Sequence, residues 1–275
     1  MRVYISFDME GISGIVDWDQ CTGSGPAVAM GQELTLAEIN AAIDGALKAG
    51  ATDFVVNDAH YRMQNLDPRL LHGDATYISG AHKPGYMMEG LTAEFDVIFF
   101  IGYHGSISGV ASVMSHSYNP AVFTELRVND LEVGESGVNA LVALGHRVPI
   151  GLISGDRATA LQAQPLMKQA ITVQVKESIT RFAAANLHPH VAHKLVADAA
   201  ERAVEAATGI DLPAIDLPAT ISMSFQTADQ AELASWIAGV ERTDVRACAI
   251  KGDDPLALYR AFVGVCYLTR QAQGR

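Results

Sequence analysis

Arg2-Val3-Tyr4-Ile5-Ser6-Phe7, followed by Asp8-Met9-Glu10-Gly11, is the stretch on which the reading of this chain turns. Its first six residues are the apolar, β-favouring kind found in strands covered on both faces. Asp8 and Glu10 leave the carboxyl end of that strand two residues apart, and on extended backbone such side chains point the same way. Two anions held side by side repel unless positive charge sits between them. The simplest sources of that charge are a metal ion or an arginine.

Similar apolar runs recur at residues 53–57, 96–102 and 148–154. Between the first two strands, Leu34, Leu36, Ile39, Ile43 and Leu47 repeat with helical spacing over residues 33–48, and Gly50 follows as a terminator. Strands alternating with helices predict an α/β fold with an open, mostly parallel sheet flanked by helices. Phe123–Val128, a turn at Asn129-Asp130 and a return over 131–133 read as an inserted β-hairpin before a helix running from about Glu135 to Gly145. After about Gln162 the pattern changes. A short strand (172–175), an Ala-rich amphipathic helix (189–207), a Pro- and Asp-punctuated linker (210–218), strands at 220–225 and 245–251, and a last helix (255–270) follow. The expected division is a metal-binding α/β catalytic domain over 1–161 and a smaller α+β C-terminal subdomain over 162–275.

Composition narrows the function. A chain of 275 residues buries a substantial core in one or two domains. No uninterrupted apolar run reaches the roughly 20 residues that span a bilayer, so no membrane partner is expected. The first strand starts directly after Met1, with no secretory h-region. Three widely spaced cysteines, Cys21, Cys248 and Cys266, do not form a disulfide framework. Together these predict a cytoplasmic protein. The net charge of −12 opposes nucleic-acid binding, which needs a basic face.

In an open α/β sheet, ligands bind beyond the carboxyl ends of the strands. Strand one delivers Asp8 and Glu10 there. Strand two ends in Asn57-Asp58-Ala59-His60, strand three in Gly102-Tyr103-His104-Gly105, and the hairpin returns through Gly134-Glu135 to a helix start. Mixed Asp, Glu and His donors suit zinc, and three carboxylates with two imidazoles are enough for a metal pair. Singly, each residue also has a plainer role. Glu135 suits a helix N-terminus, Asp58 suits a turn, and a histidine after a strand is commonly a loop hydrogen-bonder. His116, between Ser115 and Ser117, has the chemistry of a proton donor in a confined site or of an exposed loop histidine. His188, His190 and His193 are read as structural, with His188 capping a helix that Pro189 begins. His72, His82 and His146 are read as non-catalytic. Trp18 and residues 86–88 line either a pocket or the core.

These residues resemble a family. Ser6-x-Asp8-x-Glu10-Gly11 matches the signature of the binuclear-zinc D-aminopeptidases, the DppA family linked to dipeptide-transport operons. The resemblance continues through Asn57-Asp58-x-His60, Ile78-Ser79-Gly80 to Lys83-Pro84, Met88-Glu89-Gly90-Leu91, Gly102-Tyr103-His104 and Met114-Ser115-His116-Ser117. It extends through Asn129-Asp130-x-x-Val133-Gly134-Glu135-x-Gly137-x-Asn139-Ala140, Gly155-Asp156 and Val175-Lys176, dense to about residue 181 and thin beyond. It implies two Zn2+ per subunit, held by Asp8, Glu10, His60, His104 and Glu135 with Asp8 bridging. It also implies His116 as the catalytic histidine and a ring-built homodecamer enclosing the active sites.

The expected activity is removal of the N-terminal residue from short D-amino-acid-containing peptides or amides that carry a free amino terminus, through a metal-bound water. The competing enzyme readings are another binuclear metallohydrolase, an L-aminopeptidase or a phosphoesterase. Outside enzymes, the alternative is a cytosolic peptide- or metal-binding protein.

Overall fold

The computed structural model describes residues 1–272. The chain opens with β1 (Arg2–Phe7), α1 (Pro26–Lys48), β2 (Asp53–Asp58), β3 (Thr76–Ile78) and β4 (Val97–Tyr103). A hairpin of β5 (Phe123–Val128) and β6 (Leu131–Glu132) precedes α2 (Glu135–His146), β7 (Ile150–Asp156) and α3 (Arg157–Ala163). Then come β8 (Ile171–Thr180), β9 (Ala183–Asn186), α4 (Pro189–Ala206) and β10 (Ala219–Phe225). The chain closes with α5 (Ala228–Ala234), β11 (Val240–Asp244), β12 (Ala247–Gly252) and α6 (Pro255–Thr269). No described helix is long and apolar enough to cross a membrane.

Seven strands form one sheet in the order β3-β2-β1-β4-β7-β8-β9. Every pairing in it is parallel except that of β8 with β9, which is the open, mostly parallel sheet expected. β1 lies between β2 and β4, with Phe7 opposite Asp58 on one side and Ile101 on the other. The carboxyl ends of these three strands therefore meet at one edge. Strand order reverses between β1 and β4, the place where such sheets open a ligand crevice.

The two faces of this sheet follow the period of two. Val3, Ile5 and Phe7, with Val97, Phe99 and Ile101, are buried in a core completed by α1 and α4. Tyr4, Ile98 and Phe100 face the other core, which α2, α6 and a second sheet complete. That second sheet is antiparallel, ordered β11-β12-β10-β5-β6, so the inserted hairpin forms its edge.

Local signals placed most elements but not all of their limits. α1 starts at Pro26, seven residues before the apolar periodicity, because proline at a first helical turn lacks only an N–H that would be unpaired anyway. Over residues 26–32 only Val28 and Gly31 are buried, too little to show a stripe. β8 runs to Thr180, well beyond the apolar stretch at 172–175, because β9 pairs with its polar half. The two sheets also exchange segments across residue 161. β8 and β9 complete the first sheet from beyond that point, whereas β5 and β6 join the second from before it.

Candidate metal centre

The centre is assembled where β1, β2 and β4 end. Asp8 N–H still donates to the Ile101 carbonyl at 2.8 Å, so the chain keeps register with β4 one residue past the strand. Gly11 N–H then donates to the Gly102 carbonyl at 2.8 Å. The approach is so close that a Cβ on Gly11 would lie 1.9 Å from the Tyr103 carbonyl oxygen. Glycine is the residue that fits there, and the contact carries Asp8 and Glu10 over the end of β4, where His104 stands.

His60 arrives from the end of β2 on a loop that Asp58 organises. The Asp58 carboxylate accepts hydrogen bonds from His60 N–H at 3.2 Å, Asn65 N–H at 2.6 Å and the Tyr77 hydroxyl at 2.5 Å. Its role is the turn-forming one. Lys83 braces the same loop, donating to Asn57 Oδ1 at 2.6 Å and to the Asp58 carbonyl. Glu135 is the first residue of α2, and its Oε1 accepts Tyr118 N–H at 2.6 Å. Behind the β1 segment, the buried Lys176 of β8 donates to the Glu10 carbonyl at 2.8 Å and to the Ile15 carbonyl.

All six residues converge. His60 Nε2 lies 3.2 Å from Glu10 Oε1, and His104 Nε2 lies 3.5 Å from Asp8 Oδ2 and 3.7 Å from Glu135 Oε1. His116 Nε2 lies 3.5 Å from Glu135 Oε1, and its ring stacks on that of His104 with centroids 4.3 Å apart. Donor atoms of Asp8, His104 and Glu135 lie within 4.8 Å of one another, as do those of Glu10, His104 and His116, and those of Glu10, His60 and Cys21. Overlapping donor groups of this kind form a floor broad enough for more than one cation.

The electrostatics demand positive charge. Three carboxylates are almost wholly buried, and among the described residues only imidazoles stand against them as ion-pair partners. Burial, and next the charge of Glu10, push the Asp8 carboxyl well above the usual range. Burial likewise raises Glu135, against the pull of His104. Burial also works against the charge on Glu10, but His60 outweighs it and holds that carboxyl well below its usual range. Burial opposes protonation of His60 as well, yet Glu10 wins and raises it. Burial and then neighbouring His104 push His116 down to about 3, leaving a neutral imidazole.

Hydrogen-bond accounting shows which nitrogens are available. His104 Nδ1 donates to the Gly105 carbonyl at 2.9 Å, so its lone pair is on Nε2, which is buried and has no hydrogen-bond partner among the described residues. His60 Nδ1 is likewise unpartnered. His116 Nδ1 donates to the Met114 carbonyl at 2.9 Å, which leaves Nε2 as a lone pair facing Glu135. Carboxylate oxygens and imidazole lone pairs of this kind fit zinc, with the backbone carbonyls orienting the rings.

A cavity of about 610 Å3 opens above this floor. Trp18, Tyr86 and Met87 line it, whereas Met88 is buried in the core. Its wall also includes His82, Arg62, Tyr118 and Arg270. His188 caps α4 as expected, accepting His190 N–H at 3.2 Å, and His72 pairs with Asp44 at 2.7 Å outside the cavity. His146 ends α2. The residues that sequence reasoning missed are Cys21, Arg62 and Arg270. Cys21 and Arg62 lie in irregular turns and Arg270 just past the last helix, and only the tertiary arrangement places them at the site.

The comparisons agree with this geometry. The family model described as D-aminopeptidase matches residues 1–263. The D-aminopeptidase of Bacillus subtilis strain 168 is 36% identical over 266 residues, covering 96% of each chain. The solved structure of the Zn-dependent D-aminopeptidase DppA from Bacillus subtilis, described as a self-compartmentalizing protease, superposes with a TM-score of 0.93 at 32% identity, over 100% of both chains. The chain belongs to the D-aminopeptidase family.

Proposed function

We propose that this protein is a zinc-dependent aminopeptidase that removes the N-terminal residue from short D-amino-acid-containing peptides or amides. In this reading Asp8, Glu10, His60, His104 and Glu135 hold two zinc ions, and His116 is the catalytic residue. The observation that carries it is the buried floor itself, where three carboxylates converge with imidazoles and, among the described residues, no lysine or arginine side chain forms an ion pair with them. Family membership supports the substrate class.

Zinc bound at such a floor supplies a Lewis acid and a water acidified to about pKa 7. The rest falls to the chain. His116 carries its hydrogen on Nδ1, so Nε2 must take a proton before it can give one. It therefore accepts a proton as water attacks the scissile carbonyl and returns it to the departing amine. The same tautomer makes His116 a poor donor to an oxyanion. Glu135 Oε1 lies 3.5 Å from that nitrogen, and the charge of Glu10 favours the transiently protonated ring. The first peptide bond must lie at the floor, and the remainder of the substrate then runs outward through the cavity.

The solved relative's self-compartmentalizing nature supports a homo-oligomer here, which we take to be a decamer. Exposed Ile179 and Phe182 at the tip of the β8–β9 hairpin offer apolar contact area for such an assembly. Three free, buried cysteines support a cytoplasmic location.

Metal analysis of the purified protein, coupled to hydrolysis of D- and L-alanyl p-nitroanilide, tests the reading. The expected result is two zinc ions per chain, with cleavage of the D-amide lost in chelator and restored by zinc. Undiminished activity in chelator overturns the metal assignment. Equal cleavage of the L-amide overturns the chiral one, and stoichiometric ligand uptake without turnover favours a binding protein.

A further inference from the structure

The cavity has two chemically distinct poles. Its floor carries Asp8, Glu10, Glu135, His60 and His116, all buried. Its outer wall carries Arg62, which is exposed, and Arg270, which is half-buried. Among the described residues neither guanidinium is ion-paired with a carboxylate. In a chain of net charge −12, where acidic side chains outnumber basic ones, two unpaired arginines facing one cavity call for an external anion.

Both touch tyrosines that themselves belong to the cavity wall, Arg62 through a ring face and Arg270 through a hydroxyl. Arg62 lies over the Tyr61 ring, 5.6 Å from its centroid. Arg270 Nη2 lies 3.5 Å from the Tyr86 hydroxyl, and Tyr86 stacks on Tyr118, whose backbone N–H is bonded to Glu135. A continuous line of contacts thus runs from the floor to Arg270. Neither contact neutralises the guanidinium, and the five N–H donors of an arginine leave others available for a carboxylate.

We propose that Arg270, assisted by Arg62, forms a subsite for the C-terminal carboxylate of the peptide substrate. The inference rests on the aminopeptidase reading, because that reaction fixes polarity: with the first peptide bond at the floor, the only end that can face the outer wall is the carboxyl end. Arg270 is the stronger member, since a half-buried charge is screened less than an exposed one. A subsite of this kind favours short peptides with a free carboxylate over equally short ones whose carboxyl end is blocked. Longer chains place their carboxylate outside its reach.

The experiment compares kcat/KM for D-alanyl-D-alanine and D-alanyl-D-alanine amide on the zinc-loaded protein, in the wild type and in Arg270→Met, Arg62→Met and Arg270→Lys. The wild type should favour the acid by about tenfold or more, the factor expected of one charge-assisted hydrogen bond. Arg270→Met should bring the ratio close to one, with the loss falling mainly on KM. Arg62→Met should reduce it in part, and Arg270→Lys should retain part of it. A wild-type ratio of one, or a ratio that survives in both Arg→Met variants, overturns the subsite while leaving the aminopeptidase reading intact. Failure of the wild type to cleave either peptide overturns both. If Arg270→Met does not fold, the Arg62→Met and Arg270→Lys ratios decide.

Discussion

His116 is where chemistry and metal binding separate most clearly. Its Nε2 belongs to a donor group with Glu10 and His104, yet the proposed role is proton transfer. His116→Ala should lower kcat by about 10²- to 10⁴-fold, the range for a lost general acid–base, while keeping its zinc. Measured zinc content decides the matter. A variant that loses metal in step with activity makes His116 a ligand instead. At this scale the sequence was largely legible. Asp8, Glu10, His60, His104, His116 and Glu135 stand at strand ends, beside turns or at a helix start, and the structure brings all six together. Cys21 was not legible, because it lies in an irregular turn whose position depends on contacts with Trp18 and Met114.

Elements hold those residues in place through contacts with little local signature. Gly11→Ala puts a Cβ 1.9 Å from the Tyr103 carbonyl oxygen and must push the β1 segment away from β4. A cost of about 1–3 kcal/mol, typical of overpacking, is expected in the denaturation midpoint, together with reduced zinc occupancy. α1 brings a different dependence. Its Glu38 is wholly buried, accepts the Ser154 hydroxyl at 3.0 Å, and is raised by burial to about 7. A carboxyl raised in the folded state binds its proton more tightly there than when unfolded. Its contribution is therefore full below about pH 4.5 and is lost as pH rises through about 7. Glu38→Gln should gain stability relative to wild type between pH 5 and pH 8, by up to roughly 3 kcal/mol in denaturant melts. A difference that does not change with pH contradicts this. The helical stripe of α1 was readable from residue 33, but its first two turns were not, since they bury almost nothing.

For the whole molecule, bound zinc ties catalysis to stability. A ligand that binds only the folded state, present at about a hundred times its dissociation constant, adds about 2.7 kcal/mol. For a chain of this size that corresponds to roughly 5–10 °C in the melting temperature. Calorimetry with and without chelator should show this difference, and equal melting temperatures would mean that the folded chain does not bind zinc in preference to the unfolded one. Fold class was legible from the alternation of apolar runs and helical stripes. The distribution of strands between sheets was not, because pairing β5 with β10, or β8 with β7, joins segments whose local patterns do not name their partners.

That exchange has a consequence in time. Every proposed metal ligand has been synthesised once Glu135 is made, but Lys176, which fixes the Glu10 and Ile15 carbonyls, comes later, with the strand that extends the sheet. At about 5–20 residues per second that interval lasts roughly 2–8 s. During synthesis the ligands therefore precede the clamp that positions them, and the loop carrying Asp8 and Glu10 waits for its last support.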